Sequence, residues 1–130
     1  MHSQPYFDQS GEPSAAPGQF IRVDDVEPLE PIPGLHFRPI TTDTTMTNFV
    51  RFEPDAPAPS HHHAEQQIVI VLAGELTFTV GAETRVLHAG ECVVIPPNVP
   101  HGGVSGPEGC EVVDVFTPPR AGILRLMASE

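Results

Sequence analysis

Four side chains in two short segments are of the types that hold a transition-metal ion. In the segment Ser60-His61-His62-His63-Ala64-Glu65-Gln66-Gln67 two histidines stand two residues apart on either side of a third. Successive side chains of an extended chain point to opposite faces, so His61, His63 and, if the strand persists, Gln67 share one face while His62 points away. Two imidazoles so placed can grip one ion. A histidine triplet can equally be a solvated cluster, and the second segment is what favours the metal. Gly90-Glu91-Cys92-Val93-Val94-Ile95-Pro96-Pro97-Asn98-Val99-Pro100-His101 runs as a strand into a proline-stiffened turn that delivers a single histidine. Imidazole suits Zn, Fe, Ni and Mn alike, so these donors predict one divalent transition-metal ion without selecting among them.

A second group follows the last of these histidines. In Glu111-Val112-Val113-Asp114-Val115-Phe116-Thr117-Pro118-Pro119-Arg120 the alternation puts Asp114 and Phe116 on one face and Val113 and Val115 on the other. An aspartate on an apolar strand beside an aromatic ring is in the setting that raises a carboxyl pKa and suits it to general acid or base work. Arg120, held by two prolines, can clamp a carboxylate in bidentate fashion. The bland alternatives are that Asp114 faces solvent and that Arg120 pairs with a surface acid. His2, His36 and His88 fall outside both groups and read as ordinary surface or packing histidines.

The elements that must position these groups are strands. Sixteen prolines and eleven glycines in 130 residues disfavour long helices. Short β-rich runs at 35–40, 44–52, 66–72, 75–80, 84–87, 91–95 and 111–116 alternate with turn residues, the pattern of a sandwich or barrel. Leu76, Phe78 and Val80 alternate with Glu75, Thr77 and Thr79, predicting one buried and one wet face. Residues 68–72 are apolar on both faces, so they need cover outside as well as inside, which a subunit interface would supply. Residues 1–33 read as an acidic, proline-rich arm and 34–130 as the single folded domain. Through Gly18 the arm has too little apolar surface to offset the entropy of ordering and is expected to be mobile. Phe20, Ile21, Val23 and Val26 suggest an added edge strand.

Charge and composition narrow the partners. Seventeen acidic residues against six basic ones give a net charge of −11, which repels nucleic-acid backbones and anionic membranes. No apolar run approaches the ~20 residues needed to span a bilayer, and the start lacks a secretory pattern, so a cytoplasmic location is the default expectation. An anionic small molecule would need a local arginine to overcome the overall field.

Taken together, the two histidine segments resemble the motifs of the cupin superfamily, G-x5-H-x-H-x(3,4)-E-x6-G and G-x5-P-x-G-x2-H-x3-N. The first maps to Asp55, His61, His63, Gln67 and Gly74, the second to Gly90, Pro96, Asn98, His101 and Ser105, with fifteen residues between Gly74 and Gly90. The resemblance implies an all-β fold, the double-stranded β-helix or jelly-roll barrel, with His61, His63, Gln67 and His101 around one metal ion. Asp55 and Asn98 replace motif glycines, and both residue types visit left-handed backbone more readily than most. Ser105 stands for an asparagine that does not bind metal. Gln67 replaces a glutamate, leaving a dication on neutral donors only, a more Lewis-acidic site that better stabilises an anionic ligand. The alternative is that Gln67 hydrogen-bonds behind the ligands while Glu65 or water completes the set.

Pro96-Pro97-Asn98-Val99-Pro100-His101-Gly102 and Asp114-Val115-Phe116-Thr117-Pro118-Pro119-Arg120 further resemble the small pectin-degradation cupins of the KdgF type. Those are single-domain, often dimeric proteins that convert 4,5-unsaturated uronates into linear keto forms. The resemblance implies an isomerase of sugar acids and a homodimer, with Asp114 as acid or base, Phe116 as a ring-packing wall and Arg120 as partner of the substrate carboxylate. Other metal-dependent cupin chemistry on a small molecule (dioxygenase, lyase or cyclase) and non-catalytic ligand binding are the competing expectations.

Overall fold

The computed structural model describes residues 5–129, so His2 lies outside the described residues. Seven antiparallel strands form β1 (Leu35–Thr41), β2 (Met46–Phe52), β3 (Pro57–His61), β4 (Gln66–Val80), β5 (Glu83–His88), β6 (Cys92–Ile95) and β7 (His101–Thr117). One short helix, α1 (Ala121–Ala128), follows. The order across the sheet is β1-β2-β7-β4-β5, with β3 paired to β7 and β6 to β4. Leu35, Val50, Phe52, Val69, Leu76, Leu87, Ile95 and Val112, drawn from six strands, meet in one buried cluster, so the sheet curls around its own inner face as a barrel does. The all-β expectation holds. Among the described residues no helix is long and apolar enough to cross a membrane.

The runs expected at 66–72 and 75–80 are one continuous strand, and the run at 111–116 is the end of a 17-residue strand. Strands β4 and β7 pair along most of their length, from Gln66↔Thr117 to Val80↔His101, with register shifts around Ala73 and Glu75. The shifts switch the inward parity. Gln67, Val69 and Val71 are buried before them, Leu76 and Phe78 after them. Gly74 makes the switch possible: its φ is +73°, and a Cβ there would lie 2.2 Å from the Gly109 carbonyl oxygen. The predicted alternation at Leu76, Phe78 and Val80 is therefore present, but in a strand bent by its own bulges.

Strand β3 was not expected, because Pro57 and Pro59 look unlike strand residues. It pairs only with β7, and an edge strand tolerates residues that cannot donate to a second neighbour. The edge strand expected from Phe20, Ile21, Val23 and Val26 does not form. Val23–Asp25 is a single 3-10 turn, since adjacent aspartates disfavour a ladder, and Phe20 is fully exposed. The chain joins the barrel further on, at an isolated bridge between Leu29 and Phe37 closed by two backbone hydrogen bonds of 2.8 and 2.7 Å. Both residues that replace motif glycines are left-handed, Asp55 at φ 55° and Asn98 at φ 64°.

Candidate metal centre and cavity

Three different elements deliver the three histidines. His61 is the last residue of β3 and His101 the first of β7, and the two are register partners. His63 lies in the loop before β4, where its carbonyl oxygen accepts a hydrogen bond from Asn98 N at 2.8 Å, so the left-handed turn at Asn98 ties the His63 loop to the His101 loop. The strand thus does not persist from His61 to Gln67. Gln67 arrives instead on β4, across from Ile95 and Phe116. Ring centroids of His61 and His101 are 4.4 Å apart, those of His63 and His101 5.0 Å, and those of His61 and His63 5.5 Å. His62 is exposed and is not part of the cluster.

Each imidazole is oriented by a backbone carbonyl. His61 Nδ1 donates to Pro59 O at 3.0 Å, His63 Nδ1 to Glu65 O at 3.0 Å, and His101 Nδ1 to Val99 O at 2.9 Å. A carbonyl can only accept, so each Nδ1 carries the proton and each Nε2 is left with its lone pair. Ligating nitrogens of the three lie within 4.8 Å of one another, close enough for one ion to reach all three. His101 Nε2 is buried with no hydrogen-bond partner among the described residues. His63 Nε2 faces Gln67 Oε1 at 3.1 Å, one acceptor opposite another. A buried lone pair with no donor, beside two acceptors turned toward each other, is the arrangement that a cation satisfies. Burial pulls His63 below the ordinary histidine range and His101 down to about 4, keeping both in the neutral, ligating form at pH 7. The donor set therefore fits a divalent ion.

Glu65 stands behind His63, on the Nδ1 side of its ring. One carboxylate oxygen accepts from Ala121 N at 2.8 Å and the other lies 3.4 Å from His63 Nδ1. This buried glutamate supplies the N-terminal cap that α1 lacks locally, because Arg120 at the cap position makes no side-chain cap bond. The start of α1 is thereby anchored over the histidines. The sequence offers Glu65 only as an alternative metal ligand; its capping role does not show there, because the two ends of the bond are 56 residues apart.

Asp114, Phe116 and Arg120 line one cavity of about 340 Å³ with His61, Gln67 and His101. Asp114 retains some exposure yet is surrounded closely enough that burial pushes its carboxyl up to about 7, against a hydrogen bond from Gln67 that acts the other way. Phe116 is 3% exposed, with its ring 5.7 Å from that of His63. Arg120 is half-buried and makes no salt bridge among the described residues. Its nearest acidic influence is Glu65. The site is thus a neutral donor cluster at one wall, a carboxyl poised near neutrality, and an unpaired guanidinium, enclosed by apolar residues that include Ile32 and Ile123.

His36 and His88 take structural partners. His36 bonds Glu53 at 2.7 Å with Glu30 at 3.7 Å, and His88 lies between Glu75 and Glu91. Ser105 Oγ donates to Glu53 O at 2.6 Å and accepts from Ala56 N at 2.9 Å, tying the approach to β3 onto β7 without touching the histidines.

Residues 48–116 match the family described as Cupin domain. Over 105 residues the chain is 34% identical to the pectin degradation protein KdgF of Dickeya dadantii, a span of 78% of this chain and 96% of that protein. A shorter match, 50% identical over 50 residues, covers 38% of this chain and 21% of the H2HPP isomerase of Bacillus subtilis. The solved structure of KdgF from Halomonas sp. superposes with a TM-score of 0.77 at 27% identity, over 82% of this chain and 99% of that one.

Proposed function

The chain belongs to the cupin family and is similar over most of its length to KdgF, and from that premise we propose that it is a metal-dependent isomerase converting small 4,5-unsaturated uronates into linear keto acids. The observation that carries this reading is the lining of one cavity by a near-neutral carboxyl, an unpaired arginine and a cluster of neutral metal donors. A divalent ion held by His61, His63, Gln67 and His101 would supply Lewis-acid polarisation of substrate oxygens. Its identity among Zn, Fe, Ni and Mn does not follow from the donors.

Arg120 takes the uronate carboxylate, meeting it with a forked donor pair in an otherwise acidic protein. Phe116 packs against the sugar ring. Asp114 accepts the proton of the C1 hydroxyl as the bond from C1 to the ring oxygen breaks, leaving an aldehyde at C1 and an enolate at C5. The same carboxyl then returns the proton to C4, and the enolate becomes a ketone. No atom is gained or lost, and no external oxidant is used. A carboxyl near 7 is matched to both halves of that exchange at neutral pH.

Residues 34–130 form the catalytic unit in this reading, with the arm contributing Pro31 and Ile32 to the cavity wall. A second copy covers the outer sheet face, where Leu72 and Val94 are 52% and 58% exposed and Ile68 lies between Val94 and Val115. Loss of the ultraviolet absorbance of the conjugated 4,5-double bond tests the function. Metal-loaded protein should accelerate it, and Asp114→Asn should lower turnover by about 100- to 10,000-fold with little change in KM. Turnover at the wild-type rate in that variant would reject the proton-transfer role.

A further inference from the structure

The metal donors, Asp114 and Arg120 use one end of the cavity, and the chemistry above leaves the other end unused. Along β7 the residues that line the cavity run Phe116, Asp114, Val112. On β2, Val50 is the register partner of Val112, and Phe52 that of Cys110; across β1 these two meet Phe37 and Leu35. A strand advances about 3.4 Å per residue, so the wall turns apolar about 7 Å beyond Asp114 and stays apolar to the row of Phe52, about 14 Å beyond it. Leu35, Val50, Phe52 and Val112 all line this space and are at most 6% exposed. Ile32 of the arm, half-buried, closes it from outside the barrel strands.

A sugar acid carries hydroxyls over most of its ring, and a hydroxyl set among these residues would lose its water without gaining a partner. A uronate therefore fills the polar end only. Elsewhere protein interiors are packed to crystal-like density, and an apolar space left open destabilises the fold through the contacts its walls forgo. An apolar group is the occupant that such walls favour. The charge of that occupant is set at the other end. Arg120 lines the same cavity without a salt-bridge partner among the described residues, and it precedes α1, whose first residue is tied to Glu65 beside His63. We propose that the cavity carries a second, apolar subsite walled by Val50, Val112, Phe52 and Leu35, and that the protein binds carboxylates with a tail of several apolar carbons, the head on Arg120 and the tail beyond Asp114. This ligand class is distinct from the uronates and shares with them only Arg120 as the carboxylate partner.

Calorimetric titration of metal-loaded protein with acetate, butanoate and hexanoate tests the subsite. Affinity should rise about 3- to 4-fold per methylene, and so by about 100-fold or more from acetate to hexanoate. The neutral 1-hexanol should bind about 10-fold or more weakly than hexanoate, because it forgoes the charged hydrogen bond. Val50→Phe and Ile32→Phe, which fill the subsite from β2 and from the arm, should each flatten the series while the melting temperature holds or rises, as cavity filling does. None of these readings involves uronate turnover, so failure of that activity and failure of the subsite are told apart. A flat series in the wild-type protein overturns the proposal, as does equal affinity for hexanoate and 1-hexanol. A lowered melting temperature in both variants would show walls already in contact, and overturns it as well.

Discussion

Gly122→Ala should make the protein more stable and a poorer binder of carboxylates at once. Gly122 is the second residue of α1, and a Cβ built there lies 2.8 Å from Arg120 Nη1 and 3.3 Å from its Cζ. Carbon and nitrogen settle at about 3.6 Å, so the guanidinium must retreat by about 0.8 Å. The displaced atoms are the far end of a flexible side chain, so the backbone need not yield. Replacing glycine by alanine in a helix is worth about 0.5 to 1 kcal/mol, which for a chain of this size raises the melting temperature by about 2 to 5 °C. The same displacement stretches hydrogen bonds from Arg120 to a bound carboxylate beyond useful length, and bonds to charged groups contribute about 1.5 to 3 kcal/mol each. KM for a uronate should then rise about 10- to 100-fold with kcat little changed. Scanning fluorimetry and initial rates on one preparation read both quantities. A KM equal to wild type would show that Arg120 does not hold the carboxylate, and a lowered melting temperature would show that the methyl strains the helix instead.

His101→Ala should strip the metal, because two imidazoles and an amide make a much poorer site; a full equivalent retained on elemental analysis would remove His101 from the ligand set. Asp114 also has a signature in the metal-free protein. Its folded pKa of about 7 lies above the unfolded value of 3.8, so its contribution to stability is complete below about pH 4 and is lost as pH rises through about 7. The difference in melting temperature between Asp114→Asn and wild type should therefore grow in favour of the variant across that window, whereas a constant difference would place Asp114 in an ordinary solvated setting. If a second copy covers the outer sheet face, Val94→Asp with Leu72→Asp should yield monomers by sedimentation, and an unchanged mass would assign that face no role in assembly.

Local rules of the chain carried the histidine segments, the left-handed positions at Asp55 and Asn98, and the shared face of Asp114 and Phe116, because each depends only on the alternation or torsion of a few neighbouring residues. What the sequence hid depends on distant partners. His61, His63 and Gln67 share a site through a loop tied to Asn98, not through one unbroken strand. The parity switch in β4 follows from the close approach of Gly74 to Gly109, and β3 exists only because β7 offers its edge to a proline-rich segment. Helix α1 escaped notice because eight residues after two prolines carry little periodic signal and its cap, Glu65, lies 56 residues away in the chain.

The central claim is that this cavity linearises unsaturated uronates by moving a proton onto C4. The most direct measurement is proton NMR of a 4,5-unsaturated galacturonate turned over in deuterated water by metal-loaded protein. The account predicts loss of the vinyl resonance faster than in protein-free buffer, with a linear 5-keto product carrying deuterium at C4 and no oxygen consumed. A vinyl resonance that decays at the protein-free rate, or a product formed only as oxygen is consumed, would contradict it.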